Sequence, residues 1–320
     1  MTPESPRALR RALVVTNRLS GLGKGHDAAS AAVARFAERG VEITEIRAPS
    51  AAESVRLVHD SLSGGDSGDR PDAVICVGGD GLVSVMLEAL AQTGVPLGLI
   101  PSGTGNDLAR ALGVPTDDPV AAADLALAGR TRVVDLGRIE STGAQPMWFA
   151  TVTGTGFDAR VTLRANEMRW PKGPSRYSLA ALAELAGGLA VPYRIELSGL
   201  APGALDNPAG DCVIETEAVM VAVGNSRTYG GGMLICPDAE MDDGFLDVTV
   251  VGKVSRLEML RLLPALSAGK RIDHPATKHY RVAQVTLTAP SAPATADGEP
   301  AGMLPATLRA VPGALTVLVR

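Results

Sequence analysis

Residues 78–81, Gly-Gly-Asp-Gly, end an apolar run (residues 73–77) and open an apolar-periodic stretch (residues 82–91). A strand that turns into a helix through three glycines can bring its backbone close to a ligand, and the first N–H groups of the helix favour an anion. The chemistry suited to such a turn is the holding of phosphate. Asp80 would repel a bare phosphate, a conflict removed by a divalent cation between them. A second turn, Gly98-Leu-Ile-Pro-Ser-Gly-Thr-Gly-Asn-Asp107, follows the next strand-like run, and Asp135 ends the run Val133-Val-Asp. Each aspartate alone reads as a cap of its own turn. Because the C-terminal ends of strands in an open parallel sheet share one edge, Asp80, Asp107 and Asp135 are expected to face one polar crevice.

Residues 17–25, Asn-Arg-Leu-Ser-Gly-Leu-Gly-Lys-Gly, form another strand-to-helix turn suited to nucleotide phosphates, without the spacing of a Walker A loop. Gly154-Thr-Gly-Phe-Asp-Ala159 fits Gly-x-Gly-x-x-Ala, but no helix and second parallel strand are expected after it, so it does not read as a dinucleotide fingerprint. Residues 224–247 hold Gly-Asn, three successive glycines and Asp242-Asp243-Gly244, which alone would be a hairpin turn. Asp297-Gly-Glu299 offers two carboxylates at i and i+2, expected on one side of an extended segment, either of which could take a proton from a hydroxyl. His26, His59, His274 and His279 fall in none of these motifs, and neither a His-x-x-x-His pair nor a Gly-x-Ser-x-Gly elbow occurs.

The elements that must position these residues alternate through the first third. Strands are expected at residues 12–16, 41–47, 73–77, 95–100 and 133–136, and helices at 27–39, 55–62, 82–91, 107–112 and 120–128. This is the pattern of a mainly parallel sheet with helices on its faces. Beyond Asp135 strands dominate, at 148–154, 193–197, 218–223, 246–251 and 282–288, with helices only at 178–189 and 255–266. The expected architecture is an α/β nucleotide-binding domain over residues 1–136, joined by 306–320, and a β-rich, mainly antiparallel second domain over 137–305. Residues 64–69 read as a surface loop.

The 320 residues are 46% hydrophobic and 20% charged, which excludes disordered and fibrous classes. A net charge of −5 with 3% aromatics argues against nucleic acid as a partner. Cys76, Cys212 and Cys236 form no Cys-x-x-Cys pair and read as small buried hydrophobes. No secretory signal or run of about 18 apolar residues is present, so a cytoplasmic location is expected, with attachment to a membrane surface open.

Together these residues resemble the diacylglycerol kinase catalytic family, and within it the bacterial soluble lipid kinases of the actinobacterial type. The resemblance runs over nearly the whole chain through six ordered motifs: Asn17/Ser20/Gly21, Gly78–Gly81, Gly103–Asp107, Asp135-Leu-Gly137, the string through Asp242-Asp-Gly244, and Asp297-Gly-Glu299. It implies a nucleotide-binding domain like those of NAD kinases and 6-phosphofructokinases, with a β-rich domain closing over it, and ATP and Mg²⁺ as cofactors. Carried over, it implies ATP contacts at Gly78, Gly79, Asp80, Gly81, Leu82, Val83, Ser84, Val85, Gly103 and Thr104, with Asn17, Ser20 and Gly21 nearby. It implies Mg²⁺ on Asp243 with the backbone carbonyls of Glu240 and Phe245, outside the phosphate crevice. Glu299 becomes the proton acceptor, with Asp297 the alternative; Asp80, Asp107 and Asp297 organise the catalytic Mg²⁺, and Asp135 is a further metal-facing carboxylate. Three positions depart from the family pattern: Leu82 and Arg47 stand where Thr is common, and Arg18 replaces the usual Pro.

The acceptor is suggested by residues 160–176, where Arg160, Arg164, Arg169, Lys172 and Arg176 face the single Glu167, with Trp170 and Tyr177 alongside. Such a stretch suits anionic headgroups, and the apolar helix after it suits the interface; the plainer reading is a solvated loop before a core helix. The expected function is ATP-dependent phosphorylation of diacylglycerol or a related membrane lipid at the inner face of the cell membrane. A kinase of a soluble acceptor such as NAD, and a non-catalytic nucleotide-binding regulator, are the alternatives. A homodimer stays open.

Overall fold

The computed structural model describes residues 8–16, 24–63, 70–168, 170, 175–185, 187, 189–204, 206–271 and 274–320. The chain divides into two compact units, Met1–Val134 with Gly313–Arg320, and Asp135–Pro312.

The first unit alternates as its sequence pattern demands: β1 (Arg11–Thr16), α1 (Lys24–Glu38), β2 (Glu42–Ile46), α2 (Ala51–Ser63), β3 (Ala73–Gly78), α3 (Asp80–Leu90), β4 (Leu97–Pro101), α4 (Asp107–Ala111) and α5 (Pro119–Leu127). The strands pair in parallel in the order β2-β1-β3-β4, and the end of the chain adds to β4 with Val317 opposite Leu97. β3 and β4 are buried along their whole length, as parallel strands covered on both faces must be, so they read as unbroken apolar runs. The strand order reverses between β1 and β3, and the crevice beyond such a switch is where open sheets bind ligands. The Gly78–Gly81 turn leaves β3 at that point. Asp118 caps α5, accepting N–H bonds from Val120 (3.0 Å) and Ala121 (2.9 Å).

β5 (Arg130–Thr142) is much longer than the four-residue strand expected at 133–136, and Asp135 lies in its middle rather than at its end. The second unit continues with β6 (Met147–Phe149), β7 (Val152–Gly156), α6 (Phe157–Glu167), α7 (Ser175–Glu184), β8 (Val191–Leu200) and β9 (Cys212–Gly224). Then follow β10 (Thr228–Tyr229), β11 (Met233–Leu234), β12 (Leu246–Gly252), α8 (Arg256–Ser267), β13 (Thr277–Thr288), β14 (Pro293–Ala296) and β15 (Glu299–Val319), whose last residues belong to the first unit. Its pairings are antiparallel, and the long β9 changes partner midway, pairing β8 through Cys212–Ala218 and β12 through Ala218–Gly224. Alternation places Tyr193, Ile195 and Leu197 inward, against Val221, Val248 and Val282 in one core. One expectation needs correcting. A helix, α6, does open directly after Gly154-Thr-Gly, but the strands around it are antiparallel, β7 lying between β9 and β14, so a dinucleotide unit is still not formed.

Candidate functional site

In the first unit Asp80 joins the two glycine turns. Its Oδ2 accepts the Asn106 N–H (2.8 Å) and its Oδ1 the Asp107 N–H (2.7 Å), so a carboxylate from the start of α3 caps α4. Asn106, in the left-handed region at φ 54°, closes its own loop: its Oδ1 accepts the Gly103 N–H (3.0 Å) and its Nδ2 donates to the Gly103 carbonyl (3.0 Å). Glycine is needed here for close approach rather than for turning. A Cβ on Gly103 would lie 2.6 Å from the Gly79 Cα, and one on Gly105 would lie 2.5 Å from Asp80 Oδ2. Gly79 precedes α3 with no side-chain cap, so the first N–H groups of that helix are left for an incoming anion.

Leu82, Val83, Ser84 and Val85 are half-buried in the first turns of α3, and Gly103 and Thr104 are exposed at the lip of the second turn. Ser84 Oγ donates to the Asp80 carbonyl (3.1 Å). Behind the turn, Cys76 is buried; burial, and to a lesser degree Asp80, pushes its thiol up to about 12, which makes it inert. Arg47 is engaged by Glu45 (2.6 Å). Asn17, Arg18, Ser20, Gly21 and the 64–69 loop lie outside the described residues.

Asp80 and Asp107 fit a metal that arrives with a nucleotide. Their Oδ2 atoms converge on the space a Gly105 Cβ would fill, 2.5 and 3.6 Å from it. Among the described residues no group of three or more His, Cys, Asp or Glu is set for a metal. Two carboxylates with phosphate oxygens as the remaining ligands are, however, the usual protein share of a Mg²⁺–nucleotide site.

In the second unit Asp297-Gly298 is a two-residue hairpin turn between β14 and β15, with φ of 49° and 83° and Ala296 opposite Glu299. The segment is therefore not extended, and the same-side expectation for Asp297 and Glu299 fails. Asp297 instead accepts three hydrogen bonds, from Ala150 N–H (2.8 Å), Thr151 N–H (2.8 Å) and Thr151 Oγ1 (2.6 Å). Glu299 is half-buried, and its carboxylate takes no hydrogen bond from the described residues. A polar chain leads onward: the Thr151 carbonyl accepts the Asn225 N–H (2.8 Å), Asn225 Nδ2 donates to the Asp135 carbonyl (2.9 Å), and Asp135 Oδ2 accepts the Gly244 N–H (2.7 Å).

Asp135, 4% exposed, thus belongs to the second unit as a clamp on the Asp242-Asp243-Gly244 turn. Asp243 Oδ1 accepts the Phe245 N–H (3.0 Å), and its Oδ2 is ion-paired with Arg281. The Arg281 guanidinium puts a positive charge where a divalent cation on Asp243 Oδ2 would sit, so Asp243 does not fit that ion. Neither Thr151 nor Arg281 stands in any motif, so reading the sequence missed both.

Asp158 is also absent from the expected site. It is buried at the start of α6, accepts the Tyr229 hydroxyl (2.5 Å), and its Oδ2 has no partner. Burial pushes its carboxyl up to about 6, against the lowering effect of Tyr229. The folded state therefore holds a proton that the unfolded state releases between about pH 4 and 6. Stability falls as pH rises through that window, and the cost persists above it. The rise to about 6 bounds the effect at roughly 3 kcal/mol. Asp158→Asn is expected to gain Tm relative to wild type between pH 4 and pH 7; parallel Tm–pH curves would refute the assignment.

The expected basic stretch is partly consumed within the fold. Arg160 and Arg164 both pair with Glu184 (3.1 and 2.6 Å), while Arg169 and Lys172 lie outside the described residues. What the surface does present is apolar: Trp170 at 79% exposure, with Tyr177, Leu179 and Leu182 on α7 and Leu257 and Leu260 on α8. No helix among the described residues is long and apolar enough to cross a membrane.

Residues 11–139 match the diacylglycerol kinase catalytic domain, and residues 151–319 match the YegS C-terminal NAD kinase beta sandwich-like domain. The chain is 42% identical to the diacylglycerol kinase of Mycobacterium tuberculosis (strain H37Rv) over 304 residues, 95% of this chain and 93% of that one. The chain belongs to the diacylglycerol kinase catalytic family. A family member from Stenotrophomonas maltophilia (strain K279a), named a probable lipid kinase YegS-like, is 32% identical over 243 residues, 73% of this chain and 72% of its own. The fold is shared with a crystal structure of a diacylglycerol kinase from Bacillus anthracis (TM-score 0.70, 21% identity, 99% of this chain and 98% of that chain). The family's two-part architecture, α/β followed by β-rich and antiparallel, is the one expected from the strand and helix pattern.

Proposed function

We propose that this family member is an ATP-dependent lipid kinase that transfers the γ-phosphoryl group to the hydroxyl of diacylglycerol or a related membrane lipid. The observation that carries the reading is the Asp80 carboxylate bonded to the N–H groups of Asn106 and Asp107, which holds two glycine turns against each other at the switch point of a parallel sheet. Backbone N–H groups at Gly79–Gly81 and Thr104 bind the phosphates, and Asp80 and Asp107 would hold the accompanying Mg²⁺. When bound, that ion neutralises charge on the β- and γ-phosphate oxygens. The acceptor oxygen bonds to the γ-phosphorus as the bridge to the β-phosphate breaks. ADP leaves, and the hydroxyl proton passes to Glu299, the carboxylate that is not consumed by the fold.

The acceptor is delivered from the cytoplasmic face of the membrane, against which α7 lays Tyr177, Leu179 and Leu182. Purified protein is expected to sediment with anionic vesicles at low salt, and Leu182→Asp to weaken this; wild-type protein that stays in the supernatant would remove the membrane contact. The function itself is tested with γ-labelled ATP and Mg²⁺ in mixed micelles, offering diacylglycerol, phosphatidylglycerol, a sphingoid base and NAD separately, with Asp80→Ala as control. Label in one lipid, absent with the variant, is the expected result. Label only in NAD would replace the lipid reading by a soluble acceptor, and label in none would favour a regulator.

A further inference from the structure

Arg281 stands on β13 directly opposite Asp247 of β12. Both of its backbone polar groups are held: the N–H donates to Asn207 Oδ1 (3.0 Å), and the carbonyl accepts from Asn207 Nδ2 (2.9 Å) and the Ala201 N–H (2.8 Å). So aimed, the guanidinium pairs through Nη2 with Asp243 Oδ2, and its Nε lies 3.5 Å from Asp247 Oδ2. Both carboxylate oxygens and the Arg281 Nε are buried without a hydrogen-bond partner, so the guanidinium holds them by charge. Asp238, whose charge acts on Asp247, is itself held by two nitrogens of Arg271 (2.9 and 3.1 Å).

This is the turn where the family resemblance implies a divalent cation, and the arginine and that cation compete for the same Asp243 oxygen. The geometry points to Arg281 as the cation of this turn: in this chain the Asp242-Asp243-Gly244 segment is held by a guanidinium, and its structure is independent of Mg²⁺. A guanidinium is charged at every accessible pH and, unlike a metal, cannot be chelated away. Removing it leaves the buried Oδ2 of Asp243 without a cation, the costly way to break such a pair, while Asp247 keeps the more distant charge of Arg227. It also frees the oxygen that a metal would take. The inference concerns only the second unit and is independent of the acceptor and of phosphoryl transfer.

The test is the thermal unfolding of the full chain without nucleotide, in EDTA and in millimolar Mg²⁺. The readout is the part of any Mg²⁺-induced Tm shift that Asp243→Asn abolishes, which sets aside Mg²⁺ bound elsewhere. In wild-type protein that part is expected to be zero. Arg281→Ala is expected to lose roughly 5–10 °C in EDTA and to recover part of the loss in Mg²⁺, with the recovery abolished by adding Asp243→Asn. Should Arg281→Ala fail to fold, Arg281→Lys retains a positive charge and is expected to fold with a Tm insensitive to EDTA. A wild-type Tm that falls in EDTA through Asp243, or an Arg281→Ala Tm equal to wild type in EDTA, would overturn the inference.

Discussion

Glu299→Gln is expected to lower kcat by at least roughly 100-fold, the lower end of general-base effects, while leaving Tm and the affinity for ATP close to wild type. Two carboxylates flank the hairpin turn, and their surroundings separate them. Asp297 accepts from Ala150 N–H, Thr151 N–H and Thr151 Oγ1, so a proton placed on it would break the bonds that tie the hairpin to residues 150–151. Glu299 carries no such burden and can take a proton and release it at small structural cost. Asp297→Asn should therefore behave in the opposite way. Its amide presents donors to donors, and Tm falls along with activity. A Glu299→Gln enzyme with near wild-type turnover would remove that residue from the base role. Steady-state kinetics together with thermal unfolding on the two variants decide the matter.

Asp80→Asn is expected to reduce kcat/KM for ATP by roughly 100-fold or more and, unlike Glu299→Gln, to destabilise the protein by about 2 kcal/mol. Asp80 connects the Gly78–Gly81 turn to the start of α4, with one oxygen for each of two N–H groups. An asparagine can accept only one of those bonds and sets its own N–H₂ against the other donor. The turns then part, and the phosphate-binding amides move with them. Gly105→Ala should mimic this more weakly, because its Cβ would press on Asp80 Oδ2 from 2.5 Å. Unchanged kcat/KM and an unchanged denaturation midpoint for Asp80→Asn would show that the carboxylate does not organise the crevice.

Much of this was legible in the residues alone. The strand-like run 73–77 and the strand found at Ala73–Gly78 differ by one residue, and the helix expected at 82–91 starts two residues earlier, at Asp80. Such elements are visible because continuous apolar runs, helical periodicity and glycine turns are properties of neighbours in sequence. α6 was hidden because Phe157–Glu167 carries Asp158, Arg160, Arg164 and Glu167 among its apolar residues, and a flanking Gly154-Thr-Gly reads as loop. The helix exists because Phe157, Val161 and Ala165 find a core with Ala180, Leu185 and Val219, residues far along the chain.

The carboxylates mark the same boundary. Sequence by itself determined that Asp80, Asp107, Asp135, Asp243, Asp297 and Glu299 sit at turns or strands able to serve chemistry, since residue type and local conformation are encoded within a few positions. Only the tertiary structure decided which of them are already used. Asp297 meets Ala150 across 147 residues, Asp135 meets Gly244 across 109, and Asp243 meets Arg281 only because β12 and β13 pair in one register. A lone pair is free or taken according to what the fold docks against it, and docking partners are set by long-range packing that no local pattern records.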